Sequence, residues 1–335
     1  MKTDVLIIGG GLSGLAAAVK LSDSNLHITL VESSGKLGGR TYSFQHKETG
    51  DIIDNGQHLL VGAYKHTLEY LKKIETHHYL TFQKNPHINF WSKQFGFSTL
   101  TFSPNLPQSL SLLSAIFNFN GLTIFDKIRL VRIGNFLSHL YQYEQRIISK
   151  TIGEWLDEFH QSEEAKENFW KPLALAVMNE EIHKASALLF ARALQQVLFS
   201  SSSNAQMLFP SVGQTKLYVQ KAEELFLKKN IVVKKNTSVA KLELSDSRIK
   251  KVFYKNGEEI DVKNIISCVP ANALNSIRRE TGIQSRKFDD LSHFTSSAII
   301  TVYLWFDTMV MEEIFLGVGG KTIQWIFNRD KIIHS

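Results

Sequence analysis

Three glycines and one acid carry the first chemistry that this sequence can do. Gly9, Gly11 and Gly14 stand in G-x-G-x-x-G spacing, and Glu32 follows them. Gly9 permits a tight turn, Gly11 offers bare backbone to a pyrophosphate, and Gly14 lets a helix lie close against a strand. Leu12 and Ser13 fall in the first turn of that helix, where free amides and the positive end of the dipole favour phosphate. Glu32 stands at the distance, about 20 residues on, where a carboxylate accepts hydrogen bonds from a ribose diol.

The flanking elements are those that such a site needs. Val5 to Ile8 is an apolar run before the glycines, a helical stretch follows, and Ile28 to Val31 forms a second apolar run ending at Glu32. Together they read as one β-α-β unit. Lys2, the apolar run and the alanines 16 to 18 imitate a secretion signal, but the glycines interrupt the run before it reaches signal length. The N-terminus is therefore expected to be retained and cytoplasmic.

After Glu32 come Gly38, Gly39, Arg40 and Ser43, in the pattern E-x5-G-G-R-x-x-S. This pattern resembles the flavin-binding continuation of the amine oxidase and phytoene desaturase superfamily. The resemblance implies FAD, with the two glycines and Arg40 on its phosphates and ribityl chain; NAD is the alternative that the first fingerprint alone leaves open. The polar corner Asp54, Asn55, Gly56, Gln57, His58 matches a corner that, in this superfamily, comes close to the isoalloxazine ring.

The same D-N-G-Q-H segment narrows the resemblance to the bacterial hydroxysqualene dehydroxylases, also called squalene-associated FAD-dependent desaturases. TIGEWL from Thr151, FWKPLALAVMN from Phe169, ASALLF from Ala185, IITVYLWFD from Ile299 and TIQWIFNR from Thr322 are similar to segments of that family, in the same order. The fold implied is α/β: a Rossmann-type FAD-binding domain with an inserted α+β substrate domain. Its expected boundaries are 1–75 and 206–288 for the FAD domain, and 76–205 and 289–335 for the substrate domain. The activity implied is reductive removal of the hydroxyl of hydroxysqualene, a long apolar isoprenoid, to give squalene on the route to hopanoids.

That reaction needs an apolar tunnel and a proton donor beside the hydroxyl. His58 and Asp54 are the candidates by position, with bracing of the flavin loop as their alternative role. The resemblance also gives Val239 backbone contacts to adenine. Two other readings stay open: a carotenoid-type desaturase, and a chain of this family that no longer binds flavin.

Composition bounds these readings. With 43% hydrophobic and 21% charged residues, the chain is globular rather than disordered. The single Cys268 excludes an internal disulfide and is expected to be a buried, inert thiol. A net charge of +6 from scattered lysines and arginines suits a solvated surface better than a nucleic-acid site. No triphosphate loop, H-E-x-x-H, C-x-x-C or G-x-S-x-G motif occurs, so no metal is expected. The 22 phenylalanines suit either a long apolar ligand or an aromatic core.

Local patterns predict the remaining elements. Thr151 and Glu154 form a capping box, and Pro172 begins or kinks a helix. Asn256-Gly257 marks a hairpin, and Asn264 to Pro270 reads as a separate buried strand. Ile299 to Trp305 is apolar on both faces, as a buried strand would be. Near residue 125 the spacing predicts a basic amphipathic helix, with Phe125, Ile128 and Val131 on one face and Lys127, Arg129 and Arg132 on the other, either resting on the anionic lipid of a membrane surface or packed on its own domain.

Family members of this kind continue beyond the region of Thr322 to Phe327 into a returning flavin-capping segment. The chain ends at Ser335 without one. It is therefore expected to be a fragment that binds FAD weakly, aggregates readily and needs that segment for dehydroxylation.

Overall fold

The computed structural model describes residues 2–103, 105–199, 202–245, 248–283 and 291–333. The chain divides into two compact units. Unit 1 comprises Met1–Gln57, His66–Tyr79 and Val212–Ser296, and unit 2 comprises His58–Lys65, Leu80–Ser211 and Ser297–Ser335.

Unit 1 is built on a six-stranded sheet. Lys2–Ile8 is flanked in parallel by Ile28–Val31 and by Glu259–Ser267, and Val232–Lys234 extends the parallel part beyond Ile28–Val31. A strand with neighbours on both edges and covered faces must be apolar throughout, which explains the run Val5 to Ile8, all buried. On the other side Arg248–Tyr254 and Val239–Ser245 add antiparallel. Their inner residues Val239, Val252 and Tyr254 join Leu6, Ile8 and Val31 in one core.

Glu259–Ser267 serves two partners at once, antiparallel to Arg248–Tyr254 near its start and parallel to Lys2–Ile8 along most of its length. The expected separate strand from Asn264 to Pro270 is thus the end of this single strand, because no turn interrupts the ladder after Val262. Asn256-Gly257 makes the predicted hairpin turn. Cys268 is half-buried, and burial raises its pKa, which favours the unreactive thiol.

Unit 2 is α+β. One sheet runs Trp325–Phe327, Phe315–Val318, His87–Ser92, Gly96–Thr101, and a second joins Leu60–Val61, Met207–Pro210 and Leu80–Phe82. Helices between Gln108 and Leu198 pack around an aromatic core of Phe90, Phe119, Trp155, Phe169, Trp170 and Phe190. Among the described residues, no helix is long and apolar enough to cross a membrane.

The helix Ile152–Glu158 starts at the predicted capping box: the Thr151 hydroxyl accepts from the Glu154 amide, and the Glu154 carboxylate accepts from the Thr151 amide. Pro172 lies where the π-helical turn Lys166–Trp170 passes without a break into Lys171–Met178, Trp170 and Lys171 both keeping helical angles, so of the two expectations it is the interruption of a running helix and not its start.

Two sequence expectations are corrected here. The helix Ile124–Ser138 buries Asp126, Lys127, Leu130, Ile133, Phe136 and Leu137, and leaves Ile124, Phe125 and Ile128 exposed. The core face is the stripe Leu130, Ile133, Leu137 and not the one that bears Phe125 and Ile128; Arg132 is exposed, but Lys127 leaves the expected basic face and turns its ammonium onto the Phe117 carbonyl at 2.8 Å. Ile299 to Trp305 is not a strand, and most of its apolar side chains are exposed. Among the described residues no strand pairs with it.

Thr151→Ala should destabilise unit 2 by roughly 1 kcal/mol, since it removes the cap and leaves one amide unpaired. Urea unfolding followed by tryptophan fluorescence measures this; an unchanged midpoint would show that water replaces the cap at no cost.

Candidate functional site: a glycine-lined dinucleotide cradle

The site grows from two loops of unit 1 that meet backbone to backbone. Gly9 ends the first strand with its amide on the Val31 carbonyl at 2.8 Å, and the helix Leu12–Leu21 starts at Gly11 with no side-chain cap. The first-turn amides of Leu12, Ser13 and Gly14 are thus left for a ligand. The second loop crosses directly above: the Gly38 amide donates to the Gly10 carbonyl at 2.8 Å, and Gly11 and Gly38 form an isolated parallel bridge.

Only glycine fits this crossing. A Cβ on Gly39 would lie 3.1 Å from Gly11 Cα, and Gly38, at φ +101°, is in a region that side chains avoid. A Cβ on Gly14 would lie 1.8 Å from the Gly9 carbonyl oxygen, so this glycine sets the distance from helix to loop. Gly11 differs. A Cβ there would meet nothing within 4 Å and would project into open space above the loop.

Glu32 ties the loops together. One carboxylate oxygen accepts from the Gly10 amide at 2.7 Å, the other from the Ser34 amide at 2.8 Å. Burial pushes its pKa up, but the Ser34 and Gly10 amides outweigh burial and hold the carboxyl below its ordinary value. The adjoining segment is fixed by the Thr237 amide on the Glu32 carbonyl at 2.8 Å, which brings Val239, buried in its strand, close to the same sheet end.

A second polar network continues from the cradle. Arg40 is exposed, and its carbonyl accepts from the Asn55 side chain at 3.1 Å. The Gly56 carbonyl accepts from the Gln214 side-chain amide at 2.6 Å. Asp54 is 2% exposed, and its Oδ1 accepts from the Ser43 hydroxyl at 2.6 Å and the Gln214 amide at 2.9 Å. Ser43 and Thr215 exchange bonds: the Ser43 amide donates to the Thr215 hydroxyl, and the Thr215 amide to the Ser43 hydroxyl. Gln57 is half-buried in the segment after Gly56. His58 is exposed and begins the chain's passage into unit 2.

Gly213, Gln214 and Thr215 were not singled out by the sequence reading. Their one local signal is a glycine before a helix, and a Cβ on it would come within 2.6 Å of the Ser43 hydroxyl.

The profile of the flavin containing amine oxidoreductases matches residues 12–329. The chain belongs to that family. It is 24% identical to a hydroxysqualene dehydroxylase of Sinorhizobium fredii, over 98% of this chain and 74% of that protein. It is 25% identical to a 15-cis-phytoene desaturase of an Oncidium hybrid cultivar, over 91% of this chain and 53% of that one. Among solved structures, a redesigned putrescine oxidase matches with a TM-score of 0.61 at 17% identity, over 86% of this chain and 62% of that one. The chain thus spans about half to three quarters of the length of these relatives. The cofactor of the family is FAD, and the enzyme class is FAD-dependent oxidoreductase.

The residues present fit that cofactor. The space above Gly11 and the uncapped amides of the following turn suit a pyrophosphate. Beside Gly56, the buried Gln214 Oε1 has no hydrogen-bond partner, as expected of an acceptor awaiting a donor from a bound group.

Two substitutions separate the roles of the glycines. Gly11→Val should leave unit 1 folded, with an unchanged thermal midpoint, yet abolish the flavin absorbance of the purified protein, because the branches fill the phosphate space. Gly14→Ala should lower the midpoint as well, since it drives helix and loop apart. If Gly11→Val retains flavin, the pyrophosphate lies elsewhere.

Glu32 offers a pH test. A carboxyl held below its ordinary value of 4.5 stabilises the fold above that pH and loses this contribution as pH falls through the lower folded value. The stability difference between wild type and Glu32→Gln should therefore shrink below about pH 4.5. A difference constant down to pH 3 would remove the charge from the argument. Glu32→Ala should also weaken flavin binding by roughly 1.5 to 3 kcal/mol.

Proposed function

We propose that the protein is an FAD-dependent reductase of an isoprenoid alcohol, converting hydroxysqualene to squalene, with unit 1 as the flavin domain and unit 2 as the substrate domain. The observation that carries this reading is the similarity to a hydroxysqualene dehydroxylase over 98% of the chain, joined to a glycine cradle that suits FAD. The reading also has the protein work in the cytoplasm, at the inner face of the membrane where so apolar a substrate is held.

Gly9, Gly11, Leu12, Ser13 and Gly14 would hold the pyrophosphate, Glu32 the ribose, and Gly38, Gly39 and Arg40 the phosphates and ribityl chain. Val239 would flank the adenine, and Gly56 and Gln57 the flavin ring. FAD in its reduced form supplies the hydride equivalent that ends on the allylic carbon. The hydroxyl must leave as water, so the chain has to deliver one proton to the departing oxygen.

His58 is the proposed donor, since an exposed imidazole exchanges its proton with solvent and can be recharged between turnovers. Asp54 is assigned to bracing. Its carboxylate already accepts from Ser43 and Gln214, and its burial keeps it from a bulky substrate.

His58→Phe should leave flavin absorbance unchanged and lower turnover of hydroxysqualene about 100-fold. Asp54→Ala should instead cost flavin affinity, because it strands two buried donors. The reverse pattern would exchange the two roles.

Incubation of the flavin-loaded, chemically reduced protein with hydroxysqualene tests the reading as a whole. It is run on this chain alone and on this chain fused to the part of the Sinorhizobium relative that it does not span. Squalene from either supports the proposal. Unreacted alcohol from both, with flavin bound, overturns it. The similarity to 15-cis-phytoene desaturase favours a second reading, in which the oxidised protein desaturates a polyene precursor; conversion of phytoene without added reductant would select it.

A further inference from the structure

One residue holds both ends of the corner at Asp54. The Gln214 backbone amide donates to the Asp54 carboxylate at 2.9 Å, and its side-chain Nε2 donates to the Gly56 carbonyl at 2.6 Å. The residue is 1% exposed. Its Oε1 has no hydrogen-bond partner, so the side chain is oriented by its donor alone. Turned over, it would set Oε1 against the Gly56 carbonyl, acceptor against acceptor.

The element that carries Gln214 reaches the other end of the cradle too. After Gly213, whose carbonyl accepts from the Leu217 amide at 3.0 Å, the chain enters the π-helical turn Lys216–Gln220. This turn buries Leu217, Tyr218 and Val219 in succession. Val219 packs on the glycine crossing, where a Cβ on Gly38 would lie 3.0 Å from its Cγ2. The Tyr218 carbonyl accepts from the Tyr70 hydroxyl, a buried bond that anchors the turn to the helix Lys65–Lys73. Such turns are rare in helices and recur at functional sites.

A staple for unit 1 alone would not need the Gln214 side chain. Asp54 is already tied to Ser43, and Ser43 and Thr215 already join the same two segments by two bonds. What the side chain adds is control of Gly56, the residue proposed to flank the flavin ring.

We infer that Gln214 is a positioning residue for the flavin. The segment from Gly213 to Val219 spans the cradle from Gly38, at the proposed phosphate end, to Gly56, at the proposed ring end. It thereby sets the spacing of two walls that must fit one dinucleotide. The inference rests on the placement of the ring beside Gly56, and on no substrate or reaction.

Two variants of the full chain test it, by FAD titration and by the absorbance spectrum of the bound flavin. Gln214→Met keeps the side-chain length and the backbone amide on Asp54 but removes the donor to Gly56. It should bind FAD about tenfold more weakly, with an altered flavin band shape. Gln214→Glu has the shape of the wild-type side chain and supplies a donor only while its carboxyl is protonated. Burial and the adjoining Asp54 carboxylate both disfavour its charged form and raise its pKa above the ordinary carboxyl range. At about pH 5.5 this variant should match the wild type in FAD affinity and spectrum. At about pH 8 its carboxylate faces the Gly56 carbonyl, and affinity should fall at least about tenfold, returning when the pH is lowered again. Wild type and the Met variant should change little over this window, and circular dichroism of the Glu variant should be the same at both ends.

Variants that lower the thermal midpoint yet bind FAD with wild-type affinity and spectrum at both pH values overturn the inference and leave Gln214 as a staple. A folded Glu variant that binds equally weakly at both pH values overturns it as well, since the donor to Gly56 then has no part. Gly11→Val separates the two failures. If it loses flavin while the Gln214 variants are silent, the cradle stands and only this inference falls; if it retains flavin, the placement of the cofactor falls with it.

Discussion

The crossing of two backbone loops, at Gly11 against Gly38 and Gly39, is the constraint on which the rest of unit 1 depends. The approach needs the second loop to be bare, since a Cβ on Gly39 would lie 3.1 Å from Gly11 Cα and Gly38 holds φ +101°, whereas a Cβ on Gly11 would point away from the crossing. The approach brings the Gly38 amide onto the Gly10 carbonyl and closes one wall of the cradle. It also fixes the two elements behind it. Gly14 must be bare so that the helix can lie against the first loop, and Glu32 must be an acid because two backbone amides converge on its carboxylate. In this structure Glu32 organises the loops, so its removal would disturb the cradle itself besides the ribose contact proposed for it.

From the crossing, hydrogen bonds pass to the corner at Asp54. Arg40 holds Asn55, Gly56 holds Gln214, and Asp54 collects Ser43 and Gln214. The two bonds of Gln214 join segments about 160 residues apart, and every bond but that of Asn55 is buried or half-buried. A carboxylate with two such donors is costly to strip and cheap to keep. The corner is thereby held rigid without metal or disulfide, and the position of Gly56 follows from it.

What was legible in the sequence follows from this division. The β-α-β unit, the capping box at Thr151 and the Asn256-Gly257 turn are disclosed by local spacing, whereas the part of Gly38, Gly39 and Arg40 in the cradle came from the family resemblance. Helix 124–138 was legible as a helix, but its buried face was not. Two apolar stripes compete there, and the choice depends on Phe117 and Ser162, which spacing around residue 125 cannot reveal. The pattern of Ile299 to Trp305 shows that the segment suits burial between two strands, yet it does not say where those strands are. Gln214 escaped notice for the same reason: its partners, Asp54 and Gly56, lie about 160 residues earlier.

The phenylalanines bear on how the two units differ. Phe90, Phe119 and Phe169 stand mutually 5.5 to 5.6 Å apart between ring centroids, and Trp155, Trp170 and Phe190 continue the cluster. These rings serve the core of unit 2, so its aromatic richness is accounted for by packing before any ligand is invoked. Unit 1 is held at its functional end by directed hydrogen bonds, which fix atoms to tenths of an ångström. Unit 2 is held by ring contacts, which fix shape but tolerate sliding. A polar cofactor with many defined hydrogen-bonding groups requires the first kind of wall. The rings of the unit 2 cluster, each 4% exposed or less, are spent on one another, and so they form a core and not a wall for a ligand.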